Sequence, residues 1–224
     1  MRARGLALAG LAVCATTGGA VTASQSQAAD AATPEAQPPV AQAATVKAKS
    51  TRHVRAGSAA RVRGRVAPAK AGRRVALQVR TRKGWKTVKR GVTRKGGAFR
   101  MKWKASSAGR YRLRVKLRGD TTATAAAAKS WRVNAYRGSH ASWYGPGLYG
   151  NKLGCGGTLT TGTVGVAHKS LPCGTKVTFR YRGRSVAGRV VDRGPYVGGR
   201  EWDLTAALKQ KLGFPSTGTV LTTR

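Results

Sequence analysis

ASWYGPGLYGNKLGCGGTLTTGTVGVAHKSLPCGTKVTFRYRGRSVAGRVVDRGPYVGGREWDLTAALKQKLGF, residues 141–214, decides the fold and gathers most of the chemically capable side chains. Most of it alternates short apolar runs with glycine-rich turns, the pattern of short strands. One helix signal interrupts this. Thr205 is a good N-cap for residues 206–212, Leu208 and Leu212 are spaced i,i+4, Lys209 and Lys211 sit near the negative end of the dipole, and Gly213 stops the helix. Gly218-Thr219-Val220-Leu221 then supplies a closing strand.

Upstream the alternation continues with a different polar partner. In Arg61-Val62-Arg63, in Arg73 to Val79, in Phe99-Met101-Trp103, in Tyr111 to Leu117 and in Trp131-Val133, apolar residues keep one parity and basic residues take the other. Period two of this kind marks strands buried on one face. With turn signals at Lys83-Gly84, Lys95-Gly96-Gly97 and Ala108-Gly109, it predicts about seven antiparallel strands in an immunoglobulin-like β-sandwich over 45–136. The expected fold is all-β, this sandwich followed at 139–224 by a second set of short strands with one short helix.

Charge is unevenly placed within a net +37. Residues 45–138 hold 29 Lys and Arg against the single acid Asp120, whereas residues 139–224 hold 12 against Asp192, Glu201 and Asp203. A field of that sign concentrates polyanions at the surface. The bland alternative is that the cations solvate the outer faces of a sheet.

The amino end selects among polyanions. Arg2 and Arg4 precede an apolar stretch, and Ser26-Gln27-Ala28 offers small residues for cleavage, so residues 1–28 read as a secretory signal peptide. The apolar run is too interrupted for the roughly 20 residues of a transmembrane anchor. Residues 29–44, rich in Ala, Pro and Gln, read as a flexible linker. An exported chain, secreted to the cell wall or outside the cell, meets anionic wall polymers such as teichoic acids, anionic lipid headgroups and extracellular DNA, and intracellular nucleic acid is not expected on the same ground. Of three cysteines, Cys14 leaves with the signal, and Cys155 and Cys173 remain as an even pair in an oxidising compartment, which predicts a disulfide. A metal site is not expected, because two cysteines and His168 make an incomplete tetrahedral set.

Four blocks carry a family likeness: Ser142-Trp143-Tyr144-Gly145-Pro146-Gly147; Ala167-His168-Lys169 with Leu171-Pro172 and Gly174-Thr175; Asp192-Arg193-Gly194-Pro195-Tyr196; and Asp203-Leu204-Thr205. In this order and spacing they resemble the barrel domain of the rare lipoprotein A family of septal peptidoglycan lytic transglycosylases, a six-stranded double-psi β-barrel shared with expansins. The resemblance implies peptidoglycan as substrate, 1,6-anhydro-muramyl products and no cofactor. It matches Asp192 to a catalytic acid, Asp203 to the aspartate of the expansin signature, and His168 to a histidine lining the groove. Trp143, Tyr144 and Tyr196 are candidates for stacking on sugar rings, with core packing as the competing role. Asp192 has a bland alternative as a turn residue or ion-pair partner of Arg193, Asp203 as a helix-start cap, and Glu201 as a solvated side chain in a Gly-Gly-Arg-Glu loop. One departure stands out. The family glutamate eleven residues before the histidine falls here on Gly157, which leaves an expansin-like, non-hydrolytic binding and loosening module as the alternative function.

Overall fold

The computed structural model describes residues 40–224, so the expected signal peptide and most of the linker lie outside the described residues. Fourteen strands and one helix follow in chain order: β1 (Thr45–Ser50), β2 (His53–Arg55), β3 (Ala59–Ala67), β4 (Arg74–Thr81), β5 (Gly84–Val92), β6 (Ala98–Lys104), β7 (Gly109–Leu117), β8 (Ala126–Ala127), β9 (Trp131–Tyr144), β10 (Gly165–Ala167), β11 (Lys176–Tyr181), β12 (Arg184–Asp192), β13 (Trp202–Thr205), α1 (Ala206–Leu212) and β14 (Gly218–Thr222). The protein is all-β apart from this helix and one 3₁₀ turn.

Two sheets form the first half. One has the order β1-β3-β6, and the other runs β5-β4-β7-β9, with β2 added parallel to β9. Both contribute to one core: Val62, Val66, Phe99 and Met101 from the first meet Leu77, Leu113, Val115 and Val133 from the second. The alternation read in the sequence puts these residues inside and turns the intervening Arg and Lys outward. In β5 the period is hardly legible. It is an edge strand whose Val88 and Val92 stay exposed, beside Lys86, Lys89 and Arg90, charges that discourage pairing with another chain.

Six strands close the second half in the cyclic order β13-β10-β12-β11-β14-β9, with β9 returning to β13. The β10–β12 and β13–β9 pairs are parallel and the other four antiparallel. The interior is filled by Ala141, Val166, Phe179, Val190, Trp202 and Leu204, and α1 covers it with Leu208 and Leu212. Thr205 caps α1 as expected, its Oγ1 accepting from Leu208 N, and Gly213 ends the helix in the left-handed region at φ 68°.

The two halves share a strand. β9 spans 14 residues without a break; its first part pairs with β7 and its last part with β14 and β13. Gly138 lies inside it. Among the described residues no helix is long and apolar enough to cross a membrane.

Candidate functional site

Register brings the expected acids together. Ser142 on β9 is opposite Asp203 on β13, Asp203 is opposite Ala167 on β10, and Ala167 is opposite Asp192 at the end of β12. Register partners share a face, and strands lie about 4.8 Å apart, so the two aspartate backbones stand two spacings, about 10 Å, from each other. A bulge at Val166/Ala167 re-aims the row at Asp192.

Each acid is held differently. Asp192 Oδ1 accepts from the backbone N–H groups of Gly154 at 2.7 Å and Arg193 at 2.8 Å, so both backbone donors fall on the one oxygen. Only glycine permits this approach, since a Cβ on residue 154 would stand 3.0 Å from Oδ1 and 2.9 Å from Arg193 Cγ. Asp192 makes no ion pair with Arg193. That guanidinium turns away to donate to the carbonyls of His168 at 3.3 Å and Leu171 at 3.0 Å and to Cys173 Sγ. Asp203 Oδ1 accepts from Ser142 Oγ, which also accepts from Arg200 at 3.2 Å. The cap of α1 is Thr205, so Asp203 is free of that role.

Tyr144 sits by both aspartates. Its hydroxyl is buried and directed at the Asp192 carboxylate. Burial, then the charge of Asp192 and a hydrogen bond to it, and then the charge of Asp203, push its ionisation well above the usual range, so it stays an O–H donor. Tyr196 is exposed on the loop after Asp192, at 81% of its full accessibility. Trp143 is not part of this group. On β9 it points opposite to Ser142 and Tyr144, packs on the barrel core and lies under the Lys209 ammonium, 3.8 Å from the ring centroid.

His168 opens a second cluster beside the first. Its Nδ1 accepts from the backbone of Ser170 at 3.1 Å and Leu171 at 3.0 Å, which leaves the proton of the neutral ring on Nε2. That atom lies 3.9 Å from Glu201 Oε1, and the ring packs on the buried Trp202. Burial lowers the pKa of His168; the Glu201 charge opposes this, and Arg137, Arg193 and Lys169 reinforce it. Glu201 is not a solvated loop residue. It is half-buried, and although burial alone would raise its pKa, hydrogen bonds from Arg137 and Ser139 outweigh that and hold it below 4.5. The signal was available: Glu201 and Asp203 flank Trp202, so strand alternation puts both outside the barrel once the tryptophan is inside.

Cys155 and Cys173 form a disulfide with a Cα–Cα distance of 5.5 Å. It ties the 154–157 loop, which touches Asp192, to the 168–174 loop, which carries His168. Gly157 stands where the family glutamate was expected, at φ 78° with open space around it. Among the described residues no three of His, Cys, Asp and Glu gather as a metal-ligand set.

Comparison with known proteins bears on the same segment. Residues 137–223 match the model of a double-psi β-barrel family described as lytic transglycolase. A probable endolytic peptidoglycan transglycosylase RlpA from Synechocystis is 41% identical over 88 residues, 38% of this chain and 27% of the relative. The endolytic peptidoglycan transglycosylase RlpA of Campylobacter jejuni is 42% identical over 81 residues, 35% of this chain and 30% of the relative. A probable one from Aquifex aeolicus is 40% identical over 87 residues, 38% of either chain. The chain therefore spans roughly a third of the length of these relatives. Over residues 137–223 it is similar to the RlpA-like double-psi β-barrel family.

Proposed function

We propose that the barrel is a lytic transglycosylase acting on peptidoglycan glycan strands in the cell wall, with Asp192 carrying the proton. The observation behind this reading is the row Ser142-Asp203-Ala167-Asp192 with Tyr144 beside it. Such a reaction needs no water. The carboxyl group of Asp192 protonates the oxygen leaving C1 of N-acetylmuramic acid as the C1–O bond breaks. The carboxylate then takes the proton of that sugar's C6 hydroxyl while O6 bonds to C1, giving the 1,6-anhydro product and restoring the acid. Oδ2, which takes neither of the backbone N–H groups, is the atom for this exchange. Tyr144 and Asp203 stand where a sugar hydroxyl and the developing positive charge at C1 need partners. Glu201 is a poor proton donor, since Arg137 and Ser139 hold it ionised, and it orients His168 instead. His168, neutral and protonated on Nε2, serves as a hydrogen-bond donor to the glycan.

A second reading has one observation in its favour. At position 157 the family carboxylate is replaced by glycine in a backbone conformation that side chains disfavour. A barrel with one acid fewer suits non-hydrolytic binding and loosening of the expansin type, with Asp203 rather than Asp192 as the working residue. In either case the basic sandwich serves as a tether to anionic wall polymers.

Digestion of purified sacculi separates the two. The transglycosylase reading expects 1,6-anhydro-muropeptides by mass spectrometry, and a fall of about 10² or more in their rate with Asp192→Asn, wall binding being nearly unchanged. Equal rates for wild type and variant would remove Asp192 as the acid. Binding with no anhydro product at all favours the second reading.

A further inference from the structure

We infer that the seam between sandwich and barrel holds a binding site for the phosphate groups of a linear anionic polymer. A cavity of about 570 Å³ opens there, lined by Arg80, Arg110, Arg112 and Arg132 from the sandwich and by Lys176 and Arg224 from the barrel. The cations are set against one another by the sheet itself: Arg112 is opposite Arg132 across β7–β9, and Lys176 is opposite Arg189 across β11–β12. Like charges placed directly opposite destabilise a sheet, and no side-chain carboxylate among the described residues offsets them. The four side-chain carboxylates among the described residues are engaged elsewhere, Asp120 with Arg73, Glu201 with Arg137, Asp203 with Ser142, and Asp192 with two backbone N–H groups.

Arg110 marks the centre of the crowding. Its Nε is buried without a partner, and a buried N–H left unpaired is costly. Burial, and then the charges of Arg132, Arg224 and Arg189, lower its hold on its proton. An oxyanion in the cavity would neutralise these neighbouring cations together. Guanidinium forks match phosphate oxygens in pairs, which favours phosphate. The track leading out of the cavity favours a polymer. Arg110, Arg112, Arg114 and Lys116 follow one another along the outer face of β7 at every second residue, about 6.7 Å apart. Because the lining comes from both halves, a bound phosphate joins them.

This site rests on the reading of the basic half as a polyanion tether, and the test separates the two. The full chain is titrated with a synthetic glycerol-phosphate oligomer at fixed salt, alongside inorganic phosphate and polyglutamate. Arg110→Gln/Arg132→Gln is expected to weaken oligomer binding by about tenfold or more. The control Arg61→Gln/Arg63→Gln, on the outer face of the other sheet, is expected to lose less than about threefold. Inorganic phosphate is expected to raise the melting temperature of the wild type but not of the seam variant. Equal losses in the two variants, or none in the seam variant, would overturn the site while leaving the tether standing. Wild type that ignores the oligomer would overturn both. Polyglutamate binding as tightly as the oligomer would overturn the assignment to phosphate. Without ligand the seam variant is expected to melt no lower than wild type, since repulsion is relieved. A lower melting temperature would make the arginines structural and end the proposal.

Discussion

Asp192 and Glu201 are both carboxylates on the outside of one barrel, and their partners differ. Arg137 and Ser139 hold Glu201 as an anion, whereas Asp192 takes two backbone N–H groups on one oxygen. The placement of Asp192 depends on residue 154 having no side chain. Gly154→Ala is therefore expected to push the 154–157 loop away from the carboxylate and to lower glycan cleavage by tenfold or more while the disulfide still forms, checked by turnover on sacculi and a thiol titration. The second cluster predicts a pH dependence of stability. Folding lowers the pKa of His168 from 6.5 and that of Glu201 from 4.5. In each case the unfolded chain takes up the proton first, so stability is full at neutral pH, falls as pH drops through 6.5, and falls again below 4.5. Melting temperatures from pH 7.5 to 4 should show both steps, and His168→Asn should shrink the upper one, the remainder coming from His53, whose pKa burial also lowers. Much of this site was legible: Asp192, Asp203, His168 and Tyr144 stand in motifs and meet in space. Ser139 and Arg137, and their hold on Glu201, were not, because that association needs the register of β9 against the segment entering β13, which no local pattern records. Trp143 shared a motif with Tyr144 but went to the opposite face, as alternation along β9 requires.

At the scale of elements, the 154–174 region has little regular structure. β10 is three residues long, and the two loops on either side of it reach the acids and the histidine. Their restraint comes from the disulfide, whose 18-residue separation gives about 3 kcal/mol on a chain-entropy basis. Cys173→Ser is expected to lower stability by roughly that amount and to reduce activity further than the stability loss explains, because Arg193 also loses its Cys173 contact. Denaturant melts paired with turnover at a temperature where the variant is folded check this. Strands with alternating cores, β3, β4, β6 and β7, could be read from their side chains, and so could the capped helix. β5 escaped because an edge strand buries too little to show a period. The boundary expected between residues 136 and 139 falls within β9, where Gly138 continues the strand and a Cβ would meet only Thr219 Cγ2 at an ordinary 3.5 Å; a shift in composition does not show whether a strand runs through it.

For the whole molecule, the shared strand predicts how the protein unfolds. A chain of two independent domains would show two calorimetric transitions. Here β9 is a central strand of the larger sandwich sheet and also a stave of the barrel, so melting either half strips hydrogen bonds from the other. Tyr136, fully buried on β9, ties them again, its hydroxyl within 2.8 Å of His53 and 3.5 Å of Ser185. One cooperative transition is expected by calorimetry for residues 40–224, and two resolved peaks would show that β9 can part between the halves. The same strand has a mechanical meaning. At 14 residues β9 is about 46 Å long, and it enters among the cations of the sandwich and leaves at Ser142 and Tyr144. If the first end is anchored and the second grips a glycan, tension between anchor and glycan travels along one peptide backbone instead of through a hinge. The load then reaches the row of residues around Asp192 as shear on the β9–β13 ladder.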